Sequence, residues 1–313
     1  MSFRRVLLVV APPLFVLIWA TGWIVAKEAA FHADPLLFLS VRFACATVAL
    51  ALLALALGAT WPRTGAAIGP ILVSGVLLHG LYLGGVWWAI GQGLPAGISA
   101  LLAALQPLFT AALAFRLTGE RLSPVRWTGV LVGLAGVLIV IAPKFAGIDP
   151  GALAALAGVL AVNVVAMVAV TAGSFYQKKK VATGDLVVVT VWQYVGALMV
   201  TLPLALILEP LRFEINARSL GALAWSVVAL SMLGISMMLF LIREGSVARV
   251  STLNFLVPPV AAIIAYLMFS ETLTPVQVAG MVVTAVGVFL ANRPDPGVAR
   301  DLPGGSPRGK ATP

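Results

Sequence analysis

The chain has 313 residues, 61% of them hydrophobic and only 10% charged, with a mean hydropathy of +1.07, a composition that excludes a water-soluble globular domain. Its net charge of +9 sits on residues that flank apolar runs, which reads as orientation in a bilayer rather than as nucleic-acid binding. The single cysteine, Cys45, allows no internal disulfide and is read as a packing residue, and the sequence carries no metal or cofactor motif.

A helix needs about 20 apolar residues to cross the hydrocarbon core. Segments of roughly that length follow one another at 6–26, 35–57, 68–90, 95–117, 124–142, 152–175, 186–208, 219–242, 248–269 and 274–292. The first, behind Arg4 and Arg5, is long enough to span and is read as a signal anchor rather than a cleaved leader. Trp19 and Trp23 lie four residues apart on it and share a face. The third carries Gly75, His79, Tyr82 and Val86 as one stripe; the fourth carries Ser99, Ala103, Gln106 and Thr110, with Pro107 among them. The sixth has Asn163, Met167, Thr171 and Ser174 along one face, the seventh has Trp192-Gln193-Tyr194 near its middle, and the ninth has Ser251, Asn254 and Pro258. The tail from Arg293 is rich in proline, glycine and polar residues, and is expected to be disordered.

Sliding the chain on itself by 151 residues aligns 96–139 with 247–290 without a gap and with about a dozen identities. Pro107 meets Pro258, Glu120 meets Glu271, Pro124 meets Pro275, Gly129 meets Gly280 and Gly136 meets Gly287. The expected organisation is a first repeat of five helices at 1–142, a connecting loop at 143–151, a second repeat at 152–292 and a cytoplasmic tail at 293–313. An odd number of helices per repeat makes the second copy enter the membrane from the opposite side. With both termini cytoplasmic, fifteen of the 20 Lys and Arg residues fall inside and five (Lys27, Arg42, Lys144, Arg212, Arg218) outside, the bias that sets orientation. Lys27 and Arg42 are placed near the outer end of the pathway.

Two features complete a resemblance. Gly119-Glu120-Arg121-Leu122-Ser123-Pro124 and Ser270-Glu271-Thr272-Leu273-Thr274-Pro275 share a form, an acidic residue before a helix that starts at proline. Trp19-Ala20-Thr21-Gly22-Trp23 in the first segment, and Pro35 followed by Arg42-Phe43 in the second, add to it. Over residues 6–292 the chain resembles the EamA domain of the drug/metabolite transporter superfamily, and within it the aromatic amino acid exporter branch. The resemblance implies an all-α polytopic membrane protein of ten helices in two inverted repeats, seated in the bacterial inner membrane, that exports metabolites.

A carrier needs a cavity near the midplane lined by side chains unlike those facing lipid. Trp19, Trp23, His79, Tyr82, Ser99, Gln106, Asn163, Trp192 and Asn254 are the expected substrate contacts, with Pro107 and Pro258 as hinges that each leave a carbonyl unpaired. His79 matters most, because an ionisable group deep in a span is costly unless it faces partners or water. The competing readings are an interfacial aromatic belt for Trp19 and Trp23, a neutral histidine hydrogen-bonded to a neighbouring helix for His79, and kinks satisfied by water or a neighbouring serine for Pro107 and Pro258. All eleven acidic residues lie at helix ends, loops or tails, which favours a facilitator or exchanger over an ion-coupled pump. No basic cluster stands ready for phosphate, leaving small zwitterionic, partly apolar solutes, with amino acids the best match. A proton-linked exporter of drugs or quaternary amines using cation-π contacts is the alternative. An intramembrane enzyme lacks any recognisable nucleophile or metal motif.

Overall fold

The computed structural model of the protein describes residues 3–103, 106, 109, 123–145, 150–181, 184–234, 237, 256–270 and 272–291. Pro107, Asn254 and the tail after 291 lie outside the described residues, as do Glu120 and Glu271; of Pro258 only the backbone, inside a helix, is described. Each predicted span contains a helix: α1 Phe3–His32, α2 Pro35–Ala56, α3 Gly65–Gly91, α4 Ala96–Ala103, α5 Pro124–Phe145, α6 Pro150–Lys180, α7 Leu186–Leu208, α8 Ala217–Gly234, α9 Val257–Phe269 and α10 Pro275–Ala291. Six of them, α1, α2, α3, α6, α7 and α8, are long and apolar enough by themselves to cross a membrane. Helix is the economical answer to such a sequence, since hydrocarbon supplies no partners for backbone N–H and C=O groups.

The inverted repeat is visible in how helices pair. Helix α2 packs on α7 and α5 on α10, while α3 lies against α6 and α7 as α8 lies against α1 and α2. Helix starts keep the repeat offset, with Pro35 matched by Leu186 and Pro124 by Pro275. Even the irregularities match. Helix α3 widens into a π-helical stretch at Val76–Leu81 and α8 does so at Ser226–Gly234, and 76–81 moved by 151 becomes 227–232. π-Helical turns were not part of the sequence expectation, because no residue type announces them, and they concentrate at functional sites.

Small residues let backbones touch where side chains would hold them apart. At α3/α7, a Cβ on Gly75 would collide with the Gln193 backbone and one on Gly196 with the Leu72 carbonyl. At α5/α10, a Cβ on Gly136 would strike Thr284, and one on Gly287 the backbone of Gly133. Gly75 was expected on the cavity stripe of α3; it serves this contact instead. The bundle's exterior is apolar, with Val48, Leu52 and Leu55 of α2 more than 60% exposed to what would be lipid. Cys45 shares that outer surface rather than the interior, a correction to its reading as a packing residue. An apolar neighbourhood in sequence does not separate a lipid-facing position from a core one.

Replacing Gly287 by leucine should lower the thermal midpoint of the detergent-solubilised protein, reflecting overpacking of about 1–3 kcal/mol. Gly69→Ala, where an added Cβ meets nothing within 4 Å, should be neutral or slightly stabilising. Equal effects at the two positions would contradict the tight α5/α10 contact.

Candidate functional site

The repeats enclose a cavity of about 350 Å³. Helix α1 contributes Trp19 and Trp23, α2 Arg42, α3 Leu78, His79, Tyr82, Leu83, Val86 and Trp87, α6 Val170, Ser174 and Gln177, α7 Leu186, Val189, Thr190, Gln193 and Tyr194, and α8 Leu230. On each helix these positions recur every three or four residues, the spacing of one helical face. Several are repeat equivalents: Trp19 and Val170, Trp23 and Ser174, Arg42 and Gln193, His79 and Leu230 each differ by 151. The cavity therefore sits where the two halves meet, with the larger and charged side chains coming from the first half.

Its wall is aromatic. The His79 ring stands edge-on to Tyr194 with centroids 5.0 Å apart, and Phe43 lies 5.2 Å from Tyr194 and 6.3 Å from His79. Trp87 stacks on Phe38 at 5.5 Å, and Phe15 packs 5.2 Å from Trp19. The π-helical stretch of α3 contains both Leu78 and His79. Polar anchoring comes from Gln193, whose Nε2 donates to Ser74 Oγ at 3.0 Å and to Gln177 Oε1 at 3.2 Å.

Arg42 is the single charged side chain among the described lining residues, and it is 5% exposed. Its placement corrects the sequence reading, which set it near the outer end of the pathway; it lies seven residues into α2, inside the bundle. Its Nε and Nη2 donate to Ser231 Oγ at 3.4 and 3.3 Å. The guanidinium also lies 5.6 Å from the Trp87 ring and 5.8 Å from the Phe43 ring.

Of the expected contacts, Trp19, Trp23, His79, Tyr82 and Gln106 line the cavity. Ser99 and Asn163 are not among its lining; both are fully buried and bond to each other, Asn163 Nδ2 donating to Ser99 Oγ at 2.8 Å. Trp192 also lies off the lining, while its neighbours Gln193 and Tyr194 are on it. The signal that separates them is the α7 stripe of Leu186, Val189, Thr190, Gln193 and Tyr194, a face that does not include Trp192.

The two ends of the bundle differ. At one, the 33–34 turn is locked to the 209–216 loop: the Asp34 N–H donates to Arg212 O at 2.9 Å, and the Arg212 N–H donates to the Asp34 side chain at Oδ2, 2.7 Å away. Glu209, just past the end of α7, accepts from the Leu36 and Leu37 N–H groups at 2.9 Å each, capping α2. Phe38 stacks on Phe213 at 5.8 Å beneath this seal. At the other end, Asp185, the repeat equivalent of Asp34, caps its own helix through Val187 N–H at 2.9 Å. There a second cavity of about 290 Å³ separates the 60–71 segment from 180–189. One set of equivalent loops is joined; the other is apart.

The pattern of the EamA-like transporter family matches residues 7–142 and 156–293. The inner membrane transporter YedA of Escherichia coli strain K12 is 28% identical over 302 residues, covering 91% of this chain and 92% of that protein. A probable amino-acid metabolite efflux pump of Salmonella typhimurium is 25% identical over 288 residues, covering 88% and 92%. Protein PecM of Dickeya dadantii is 26% identical over 267 residues, covering 85% of each. A solved crystal structure of a protein 19% identical to this chain superposes with a TM-score of 0.61 over 90% of this chain and 95% of the other, a likeness of fold. With the family pattern spanning both halves of a ten-helix bundle of this architecture, the chain belongs to the EamA-like transporter family.

Proposed function

We propose that the protein exports small zwitterionic metabolites, amino acids with aromatic ones among them, from the bacterial cytoplasm by alternating access, as an uncoupled facilitator or exchanger. The observation that carries this reading is the aromatic cavity between the repeats, which has ring faces and amide groups but no carboxylate among its described lining residues. Proton- and sodium-coupled carriers often rely on such a carboxylate, which leaves His79 as the one evident route to proton coupling among the described lining residues. The name of the Salmonella relative, an amino-acid metabolite efflux pump, points the same way. The cation-exporter alternative fits less well, because Arg42 would repel a quaternary amine from the tryptophans that should attract it. Arg63 and Lys178, Lys179 and Lys180 lie at the end where the loops are apart, so the positive-inside bias makes that end cytoplasmic and the locked end external, in an inner membrane like that named for YedA.

Counterflow of labelled phenylalanine, methionine and threonine into proteoliposomes should be saturable, mutually competitive and independent of a pH gradient. His79→Ala should lower uptake roughly tenfold, the scale of one lost buried polar contact. Uptake seen only with the gradient would contradict the uncoupled mechanism, and absence of uptake for all three would remove the amino acid reading.

The external seal should respond to pH through Glu209. Burial, with the nearby Asp34 carboxylate adding to it, pushes the Glu209 carboxyl above its ordinary value despite the two N–H bonds that oppose the shift. In a solvent-filled open arrangement that burial is relieved, so sealing takes up a proton. The seal is therefore favoured as pH falls and is weakened as pH rises through the raised value. Spin labels at Phe31→Cys and Ile215→Cys, in a Cys45→Ala background, should show a growing short-distance population on acidification. Glu209→Gln should remove this dependence; its persistence would place the titrating group elsewhere.

A further inference from the structure

Accepting that the transported solute occupies the central cavity, the cavity's hydrogen-bonding inventory specifies which part of the solute is read. A guanidinium carries five N–H donors. Those of Arg42 find, among the described residues, the Ser231 hydroxyl shared by two nitrogens at 3.3 and 3.4 Å, long for bonds from a charged donor, and the neighbouring Tyr194 hydroxyl. Ser231 is itself committed, donating its hydrogen to the Ser226 carbonyl at 3.0 Å across five residues of the π-helical stretch, so that it turns lone pairs toward Arg42. The π turn thus orients the guanidinium without neutralising it. No acidic side chain appears among the described lining residues.

A second donor points to the same shortage. Trp23, 7% exposed and lining the cavity, has its indole Nε1 buried with no acceptor among the described residues. Burying donors without acceptors is unfavourable, most of all for a charged group, and favours a ligand that brings acceptors with it. The repeat equivalent of Arg42 is the neutral Gln193, already tied to Ser74 and Gln177, so the described lining offers one anion-binding point and not two. A single planar fork between aromatic faces suits a carboxylate on an apolar body better than a phosphate dianion, which calls for more positive charge.

We propose that Arg42 is the carboxylate anchor of the cavity, holding an ionised carboxylate with help from the Trp23 indole N–H, and that the site reads the carboxylate rather than the ammonium group. The class of ligand is then the small aromatic or alkyl monocarboxylate, of which an amino acid is one case and its deaminated acid another.

The test is a ligand series on the wild-type protein, followed by tryptophan fluorescence in detergent: L-phenylalanine, 3-phenylpropionate, L-phenylalaninamide and phenylethylamine. The two carboxylates should bind within about tenfold of one another, and the amide and amine about a hundredfold more weakly, the scale of a lost charge-assisted bidentate contact. R42Q should abolish the preference for acid over amide, R42K should keep part of it, and S231A should weaken carboxylates severalfold while leaving the amide unchanged. An amide that binds as well as the acid, an unaltered preference in R42Q, or binding by none of the four would overturn the anchor; the wild-type series decides even where R42Q does not fold. Counterflow separates the two readings. Arg42-dependent binding of 3-phenylpropionate with no amino acid transport keeps the anchor and removes the amino acid reading. Phenylalanine transport competed equally by acid and amide does the reverse.

Discussion

Hydrocarbon offers a peptide group no hydrogen-bonding partner, and this denial organises the whole molecule. Each crossing segment must satisfy its backbone internally, so the chain becomes helices, and helices associate in lipid through close packing and polar contacts rather than by escape from water. The glycines at α3/α7 and α5/α10 bring backbones together where that packing is tightest. Several polar side chains inside are held in small pairings: Asn163 with Ser99, Gln193 with Ser74, Arg42 with Ser231. The same constraint makes the two π-helical stretches informative. A widened turn gives up ideal backbone geometry, and here both occurrences face the cavity, through His79 in α3 and Leu230 in α8.

Symmetry links this interior to the loops. Asp34 and Asp185 occupy equivalent positions before equivalent helices, yet one bonds across to Arg212 and the other caps its own helix. The helix that Asp34 does not cap is capped from the opposite repeat by Glu209. A single sequence pattern is thus seen in two hydrogen-bonding arrangements, one at each end of the bundle. Both arrangements satisfy the first turn of a helix, so neither leaves backbone N–H groups stranded when loops part or join.

The ten helices were legible because hydrophobic length and repeat identity are properties of sequence, and α7 begins and ends where its apolar run does. The site was legible only in part. Trp19, Trp23, His79 and Tyr82 could be placed because their neighbours at helical spacing fixed a face. Arg42 was set too far out because hydropathy treats any charge as an end marker, whereas this one is enclosed by Trp87, Phe43 and Ser231, contributed by three helices. The sequence singled out Trp192 rather than Gln193 and Tyr194, and rotation about α7 decides which residue turns inward. Asn163 donates to Ser99, a pairing between residues 64 apart that periodicity along one helix does not reveal.

The mismatch between Arg42 and Gln193 has a kinetic consequence. Were the two repeats chemically identical, exchanging their conformations would give two faces with the same affinity. Here one half brings a cation and the other a neutral amide, so a bound anion meets different surroundings in the two orientations and half-saturation on the two sides need not agree. Detailed balance sets the limit: in a passive carrier, the ratio of maximal rate to half-saturation is equal in both directions, and any gain in affinity on one side is matched by a slower turnover from it. A charge in only one repeat can therefore tune the carrier to the concentrations on each side of the membrane without moving the equilibrium between them.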